Sequence, residues 1–371
     1  MRLKPLIVAL LTLFALAPLL VNVSEANEKK DFDLGAEGAA EFLNAQGLPP
    51  PGANDPECTL EEGKNPIILV PGTFERSSYN FLALSPELAD RDYCVYAMNY
   101  GQTLLGPSTG PIEESAQELQ AFINNVLELT GSDQVDIIGH SQGGMMPRYY
   151  MKFMEGDENV DDLIAFAPSN HGTDGLLGFR RLTGLVSLIT DIEAIQQQLA
   201  GSDFLEELNE GEETPGDVSY TNITTKRDGI VTPYTRGFLD GPEDQVANIT
   251  IQDHLGGVGP GHIGIVYHKP SYLFVLDALE NEGPADPRRA VTSAQDDLTI
   301  LEEEAPVTIS EEDIAEINQE IVDDEEKDAV QLAYDRLSTE EQEQVLKDYI
   351  ENGQHEIAQY LDPELFDEME N

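Results

Sequence analysis

A mostly parallel β-sheet with helices on both faces, an α/β fold, is the architecture this sequence predicts. Three observations carry that expectation. Short apolar runs such as Ile67-Ile-Leu-Val70 recur through residues 58–290, as in strands buried on both faces. Stretches of helical period stand between them. The first three runs end at Pro71, Asn99 and Gly139, where a strand hands over to a loop. Strands that alternate with helices pair in parallel, because the helix supplies the crossover.

In chain order, Arg2 and Lys4 precede a nearly continuous apolar run from Leu6 to Val21, and Ser24-Glu-Ala26 offers small residues for cleavage. Residues 1–26 therefore read as a secretory signal peptide, too short for a comfortable membrane span. The protein is expected to be exported, without stable membrane insertion. Residues 27–57, with Pro49-Pro-Pro51-Gly52, read as an N-terminal arm and linker.

The organised part, residues 58–290, opens with Pro66-Ile-Ile-Leu-Val70 running into Pro71-Gly72, then Cys94-Val-Tyr-Ala-Met98 ending at Asn99-Tyr-Gly101. From Glu113 to Thr130 the spacing of Leu119, Phe122, Ile123, Val126 and Leu127 predicts a helix, with Gly131 as its stop. A third strand begins at Val135. Asp162 to Phe166, Val218 to Thr225 and Asn248 to Gln252 follow as strands, and Ser271 to Glu280 as a helix.

An insertion at about residues 172–216 is strongly apolar around Leu176, Leu182, Leu185 and Ile189. It reads either as core helices or as a cap over an acyl-binding cleft. Residues 291–371 form an acidic helical C-terminal region, with isoleucines at 314, 317 and 321 and a capping box at Ser338-Thr-Glu-Glu341.

Of 371 residues, 71 are acidic and 20 basic, a net charge of −51. The acids are not confined to the tail, since residues 291–371 hold 27 acids and 3 bases. Self-repulsion on this scale weakens a compact state at low salt, and molar salt screens it over about 3 Å. A salt-adapted, halophilic protein is the expectation. Nucleic acid and anionic membranes are excluded as partners by the same charge. The only cysteines, Cys58 and Cys94, are read in an exported protein as one disulfide. It closes a loop of about 36 residues, worth roughly 4 kcal/mol in the chain-entropy account. No spacing for a metal site appears, so no metal and no cofactor are expected. Oligomeric state is not legible.

The chemistry centres on Gly139-His-Ser-Gln-Gly143, a G-x-S-x-G pentapeptide between a strand and a helical pattern. That context is the sequence form of a nucleophile elbow, a sharp turn that lifts Ser141 above a sheet. Serine needs a base, and the base needs an orienting carboxylate, in the order Ser, acid, His. After the fifth strand Asp228 is the first-choice acid, with Asp240 and Asp253 as alternatives. After the sixth, His262 in Gly259-Pro-Gly-His-Ile-Gly264 competes with His254 and His268 for the base. The oxyanion donors are assigned to the backbone N–H groups of Gln142 and Thr73, the latter in the loop after the first strand. The Thr73 hydroxyl is a third candidate donor.

These motifs together resemble the secreted bacterial class 2 lipases of the α/β-hydrolase superfamily, and the Val-Pro-Gly-Thr loop is similar to that of fungal lipase B. The resemblance rests on Leu69-Val-Pro-Gly-Thr-Phe74, Gly139-His-Ser-Gln-Gly-Gly144, Ala167-Pro-Ser-Asn-His-Gly172, Gln196-Gln-Gln-Leu-Ala-Gly-Ser-Asp203, Arg227-Asp-Gly-Ile-Val-Thr-Pro-Tyr234 and Gly261-His-Ile-Gly264. It implies Ser141 as nucleophile, Asp228 as acid, His262 as base, and Thr73 and Gln142 as oxyanion donors. It also implies the Cys58–Cys94 disulfide. The expected activity is hydrolysis of lipid esters, triacylglycerols foremost, at an oil–water interface. A short-chain esterase, a polyester depolymerase and a catalytically silent surface module are the alternatives.

Overall fold

A computed structural model describes residues 42–43, 45–47, 49–174, 192–296, 365–366 and 369 of the protein. The strands are β1 (Ile67–Val70), β2 (Val95–Ala97), β3 (Val135–His140), β4 (Val160–Phe166), β5 (Ser219–Thr224) and β6 (Val246–Thr250). They form one parallel sheet in the order β2-β1-β3-β4-β5-β6. The helices are α1 (Ser77–Asn80), α2 (Leu84–Ala89), α3 (Ile112–Thr130), α4 (Gln142–Phe153), α5 (Glu193–Gln197), α6 (Asp203–Asn209), α7 (Ile251–His254), α8 (Tyr272–Glu280) and α9 (Pro287–Asp296).

Alternation along β1 explains the two layers. Ile68 and Val70 pack on one face against Leu119, Phe122 and Ile123 of α3 and Met145 and Met146 of α4. Ile67 and Leu69 pack on the other against Phe81, Leu84, Leu88 and α8 residues Leu273 and Phe274. All four strand residues are fully buried, so both faces need cover and each side chain contributes about 1.5–3 kcal/mol. The predicted Gly131 stop has φ 70° and returns its N–H to the Leu127 carbonyl at 2.8 Å, a left-handed close that favours glycine.

One detail departs from the sequence reading. The sixth strand runs two residues earlier than expected and ends at Thr250, although Ile249-Thr-Ile251 has strand composition. The Gln252 amide donates to Thr225 Oγ1 at 2.8 Å and its Oε1 accepts from the Lys226 N–H at 3.1 Å. These bonds hold the chain in the turn of α7. In the insertion, Ile192, Ala194, Ile195, Leu205 and Leu208 enter the same core as α3 and α4. Its more apolar stretch around Leu176 to Ile189, the segment 1–26 and the helices expected at Ser310 and Ser338 lie outside the described residues.

Cys58 and Cys94 are joined as a disulfide, with their Cα atoms 5.7 Å apart. Strand order reverses between β1 and β3: the chain leaves β1 for the β2 edge, then returns past β1 to β3. In open parallel sheets a ligand crevice forms beyond the carboxyl ends at such a reversal. The loop after β1 and the turn after β3 meet there.

Candidate active site

β3 delivers the chain to Ser141, whose backbone sits at φ 54°, ψ −117°. That left-handed conformation is costly for a residue with a side chain and persists only when its surroundings enforce it. The flanking glycines show how they do so. A Cβ on Gly139 would lie 2.0 Å from the Gly143 carbonyl oxygen, and one on Gly143 would lie 2.1 Å from that of Val70. Strand, turn and helix thus pack backbone to backbone, with α4 starting at Gln142.

Beside this turn runs the loop Pro71-Gly72-Thr73-Phe74. A Cβ on Gly72 would come within 3.2 Å of the Ser141 Cβ, so loop and serine are immediate neighbours. Among the described residues no acceptor takes the backbone N–H of Thr73 or of Gln142. Both residues are buried. Two unsatisfied N–H groups beside a serine, one at a helix start, form a place where negative charge is stabilised.

The side chains behind these N–H groups are locked together. Thr73 Oγ1 donates to Gln142 Oε1 at 2.6 Å, and Gln198 Nε2 donates to Thr73 Oγ1 at 3.0 Å and to Gln142 Oε1 at 2.9 Å. The Ser169 hydroxyl in turn donates to Gln198 Oε1 at 2.8 Å. The Thr73 hydroxyl proton is committed to Gln142, so in this conformation it supports the loop and is not a third free donor.

Asp228 and His262 meet across the loops after β5 and β6. His262 Nδ1 lies 2.7 Å from Asp228 Oδ2, and both side chains are almost wholly buried. The other Asp228 oxygen accepts from the N–H groups of Ile230 at 2.8 Å and Val231 at 2.9 Å. A carboxylate only accepts, so the proton on the His262 ring sits at Nδ1 and leaves the Nε2 lone pair open. Thr225 Oγ1 donates to the Pro260 carbonyl at 2.7 Å and ties the two loops together. Among the described hydrogen bonds none joins Ser141 Oγ to His262; such bonds are commonly long in a free enzyme and tighten around substrate.

The other candidates lie elsewhere. His254 packs its ring edge on Phe274, 6.0 Å between centroids, and His268 Nδ1 is held by Ser271 Oγ at 2.6 Å. Asp253 is ion-paired with Lys226 at the surface, and Asp240 is exposed. His171 Nε2 bonds Glu213 Oε1 at 2.9 Å.

A buried acid–imidazole pair beneath the site was not legible in the sequence. Nδ1 of His140, the residue before the serine, lies 2.7 Å from Glu75 Oε2, and its Nε2 lies 3.1 Å from the backbone carbonyl of His262. The two rings stand 4.9 Å apart. Glu75 Oε2 also accepts from the Gly72 N–H at 3.2 Å. A carboxylate and a carbonyl both accept, so these two contacts favour the protonated His140 ring, while the Asn80 amide nitrogen stands 3.1 Å from the same Nδ1. Burial alone pushes its pKa down, but the Glu75 charge and the hydrogen bonds outweigh that, and the net shift is upward. The pair clamps the loop after β1 to the segment that carries His262. No local motif links positions 75 and 140; the only hint was an acid two residues after Thr73.

Residues 64–240 match the family model described as lipase (class 2). Among solved structures the chain is similar to lipase B of Aspergillus fumigatus, at 25% identity with a TM-score of 0.54. That match covers 67% of this chain and 59% of the fungal one, so the chain spans less than two thirds of that lipase's length. It is also similar to the mature form of the Bacillus licheniformis lipase BlEst2, at 13% identity and a TM-score of 0.46, over 61% of this chain and 96% of that one. Over residues 64–240, then, this chain carries the class 2 lipase pattern, set on an α/β-hydrolase fold.

Proposed function

We propose that this protein is an exported serine carboxylester hydrolase that acts on lipid esters, with triacylglycerols as the substrate class. What supports the reading is a strained Ser141 whose neighbour His140 stands ring to ring with His262 at 4.9 Å, the Asp228–His262 pair, and two backbone N–H groups beside the serine with no acceptor among the described residues. Ser141 Oγ attacks the ester carbonyl while His262 Nε2 takes its proton. The negative oxygen of the tetrahedral intermediate rests on the N–H groups of Thr73 and Gln142, each donor worth about 10²–10³ in rate. His262 returns the proton to the departing alcohol, leaving an acyl group on Ser141. Water, deprotonated by His262, attacks that acyl group, and the acid leaves as Ser141 recovers its proton.

Support for lipid over small soluble esters comes from the rim. Val258 is 68% exposed and Ile263 36%, flanking His262, and Leu104 is 79% exposed on the loop after β2. Phe74, beside Thr73, donates its N–H to the Pro107 carbonyl at 3.0 Å and brings that loop to the same edge. Apolar side chains on the loops around a crevice suit contact with a lipid surface. Export rests on the Leu6–Val21 run and the small residues at 24–26.

Rates on p-nitrophenyl esters of rising chain length, with and without an emulsified interface, test both parts. Ser141→Ala is expected to lower hydrolysis by roughly 10⁴-fold or more, and the intact protein to prefer long chains. Wild-type-like turnover in Ser141→Ala contradicts the mechanism; activity confined to short soluble esters contradicts the lipid substrate.

A further inference from the structure

At the opposite end of the sheet from Ser141, three aspartates converge. Parallel pairing of β3 with β4 runs Val135 to Val160, then Ile137 to Leu163, so Asp161 and Asp162 together stand opposite Asp136 alone. That extra residue is a β-bulge, a device that re-aims side chains. The result is that one carboxylate oxygen from each of Asp136, Asp161 and Asp162 lies within 4.8 Å of the others. Asp136 and Asp162 are buried, 4% and 6% exposed, while Asp161 is open to solvent.

The charges in this cluster are not balanced by protein. Asn65 Nδ2 donates to Asp136 Oδ1 at 3.1 Å and to Asp161 Oδ2 at 3.0 Å. Asp162 Oδ1 is fully buried and without a hydrogen-bond partner. Lys64, next to Asn65, is turned away to the Arg91 carbonyl and to Glu61. A buried carboxylate with neither donor nor cation is expensive, and proteins remove that cost with a proton or a metal ion.

We propose that Asp136, Asp161 and Asp162 form a calcium-binding site that pins the amino-terminal ends of β3 and β4 together. Calcium takes oxygen ligands at about 2.3–2.6 Å, so oxygens on opposite sides of the ion stand roughly 4.6–5.2 Å apart and adjacent ones closer, and the three carboxylate oxygens, all within 4.8 Å of one another, fall inside that reach. Its flexible coordination accepts carboxylates from a bulge where magnesium demands an octahedron. The Asn65 amide, turned over, presents its oxygen as a neutral ligand, and the exposed side of Asp161 admits the ion and the waters that complete its shell. In the absence of a counter-ion, burial and the neighbouring carboxylates push the Asp136 carboxyl up to about 7 and that of Asp162 up to about 9. A shared proton is thus the competing way to relieve the same charge. The site is independent of ester hydrolysis: Asp136 precedes Ser141 on β3 by about 16 Å of strand.

Thermal unfolding of the full chain, stripped with EDTA and then titrated with CaCl2 at constant ionic strength, tests this. With calcium at 100-fold its Kd, Tm is expected to rise by about 5–10 °C. Asp162→Asn and, separately, the exposed Asp161→Asn should lose most of that rise and keep wild-type ester turnover at 25 °C. Asp162→Asn should also unfold no lower than wild type in EDTA, because it removes an uncompensated charge. A wild-type Tm that calcium does not move overturns the proposal in favour of the shared proton. An equal rise in both variants overturns it in favour of diffuse binding to the acidic surface.

Discussion

His140 shows how much of the site depends on residues that never touch substrate. Its ring joins Glu75, on the loop that carries the Thr73 N–H, to the backbone of His262. Because its pKa is raised in the fold above the ordinary 6.5, the folded protein holds a proton there that the unfolded chain has begun to release. The stability it contributes is fully present below pH 6.5 and is lost as pH rises through the folded pKa. The unfolding free energy of the wild type, and Tm with it, should therefore fall with pH from about 6.5 upward, the free energy by up to ~1.4 kcal/mol per pH unit from this group. His140→Asn should remove that part of the slope, as calorimetry across pH 6–9 would reveal; superimposable slopes contradict the account. At this scale the sequence was half legible. Ser141 stood out by its turn and Asp228 by its place after a strand, while His262 competed with His254 and His268 until the family resemblance favoured it. Glu75, His140 and Asn65 did not, because their partners lie 65 or more positions away and no local pattern encodes a contact made through the fold.

Among the elements, α4 carries the most consequence, since its first residue, Gln142, is a proposed oxyanion donor and its body must then not shift. Arg148 fixes it. The guanidinium is 1% exposed and donates to the Glu213 carbonyl at 3.1 Å, Asn170 Oδ1 at 3.4 Å and Asn209 Oδ1 at 2.8 Å. Burial lowers its pKa to about 10, still far above neutrality, so it remains charged inside the protein. Arg148→Ala would leave three acceptors unpaired and a cavity, a loss of roughly 3–5 kcal/mol that denaturant melts would measure. A loss under ~1 kcal/mol would show that α4 is held by its apolar face alone. β1 to β4 were readable because each contains a short apolar run, and the Gly131 stop because only a left-handed close suits it. The end of β6 was not, since Gln252 overrides the strand composition of Ile249-Thr-Ile251 from outside the element.

For the whole molecule the governing quantity is the net charge of −51. Among the described residues apolar side chains fill two layers and few of the acids are buried, so their repulsion opposes compaction. Screening by salt relieves it, and this motivates the hypothesis of adaptation to high salt. If the relief is about 2 kcal/mol, Tm rises by roughly 4–8 °C between 0.1 and 2 M NaCl, with sorbitol at matched osmolality as the control. A Tm indifferent to salt contradicts the hypothesis and leaves the acidity to another cause. The fold class was legible at this scale from the order of the runs alone. The meeting of the loops after β1 and β3 needed the strand order, which no linear pattern states.

The central claim is that Ser141 is a nucleophile activated by its surroundings and not an ordinary serine in a glycine-rich turn. Reaction with a fluorophosphonate, followed by peptide mass mapping, reads this directly. One phosphonyl adduct per chain, on the peptide bearing Ser141 and absent from Asp228→Asn over the same minutes of exposure, is the predicted result. No adduct, or an adduct on another serine, would contradict it.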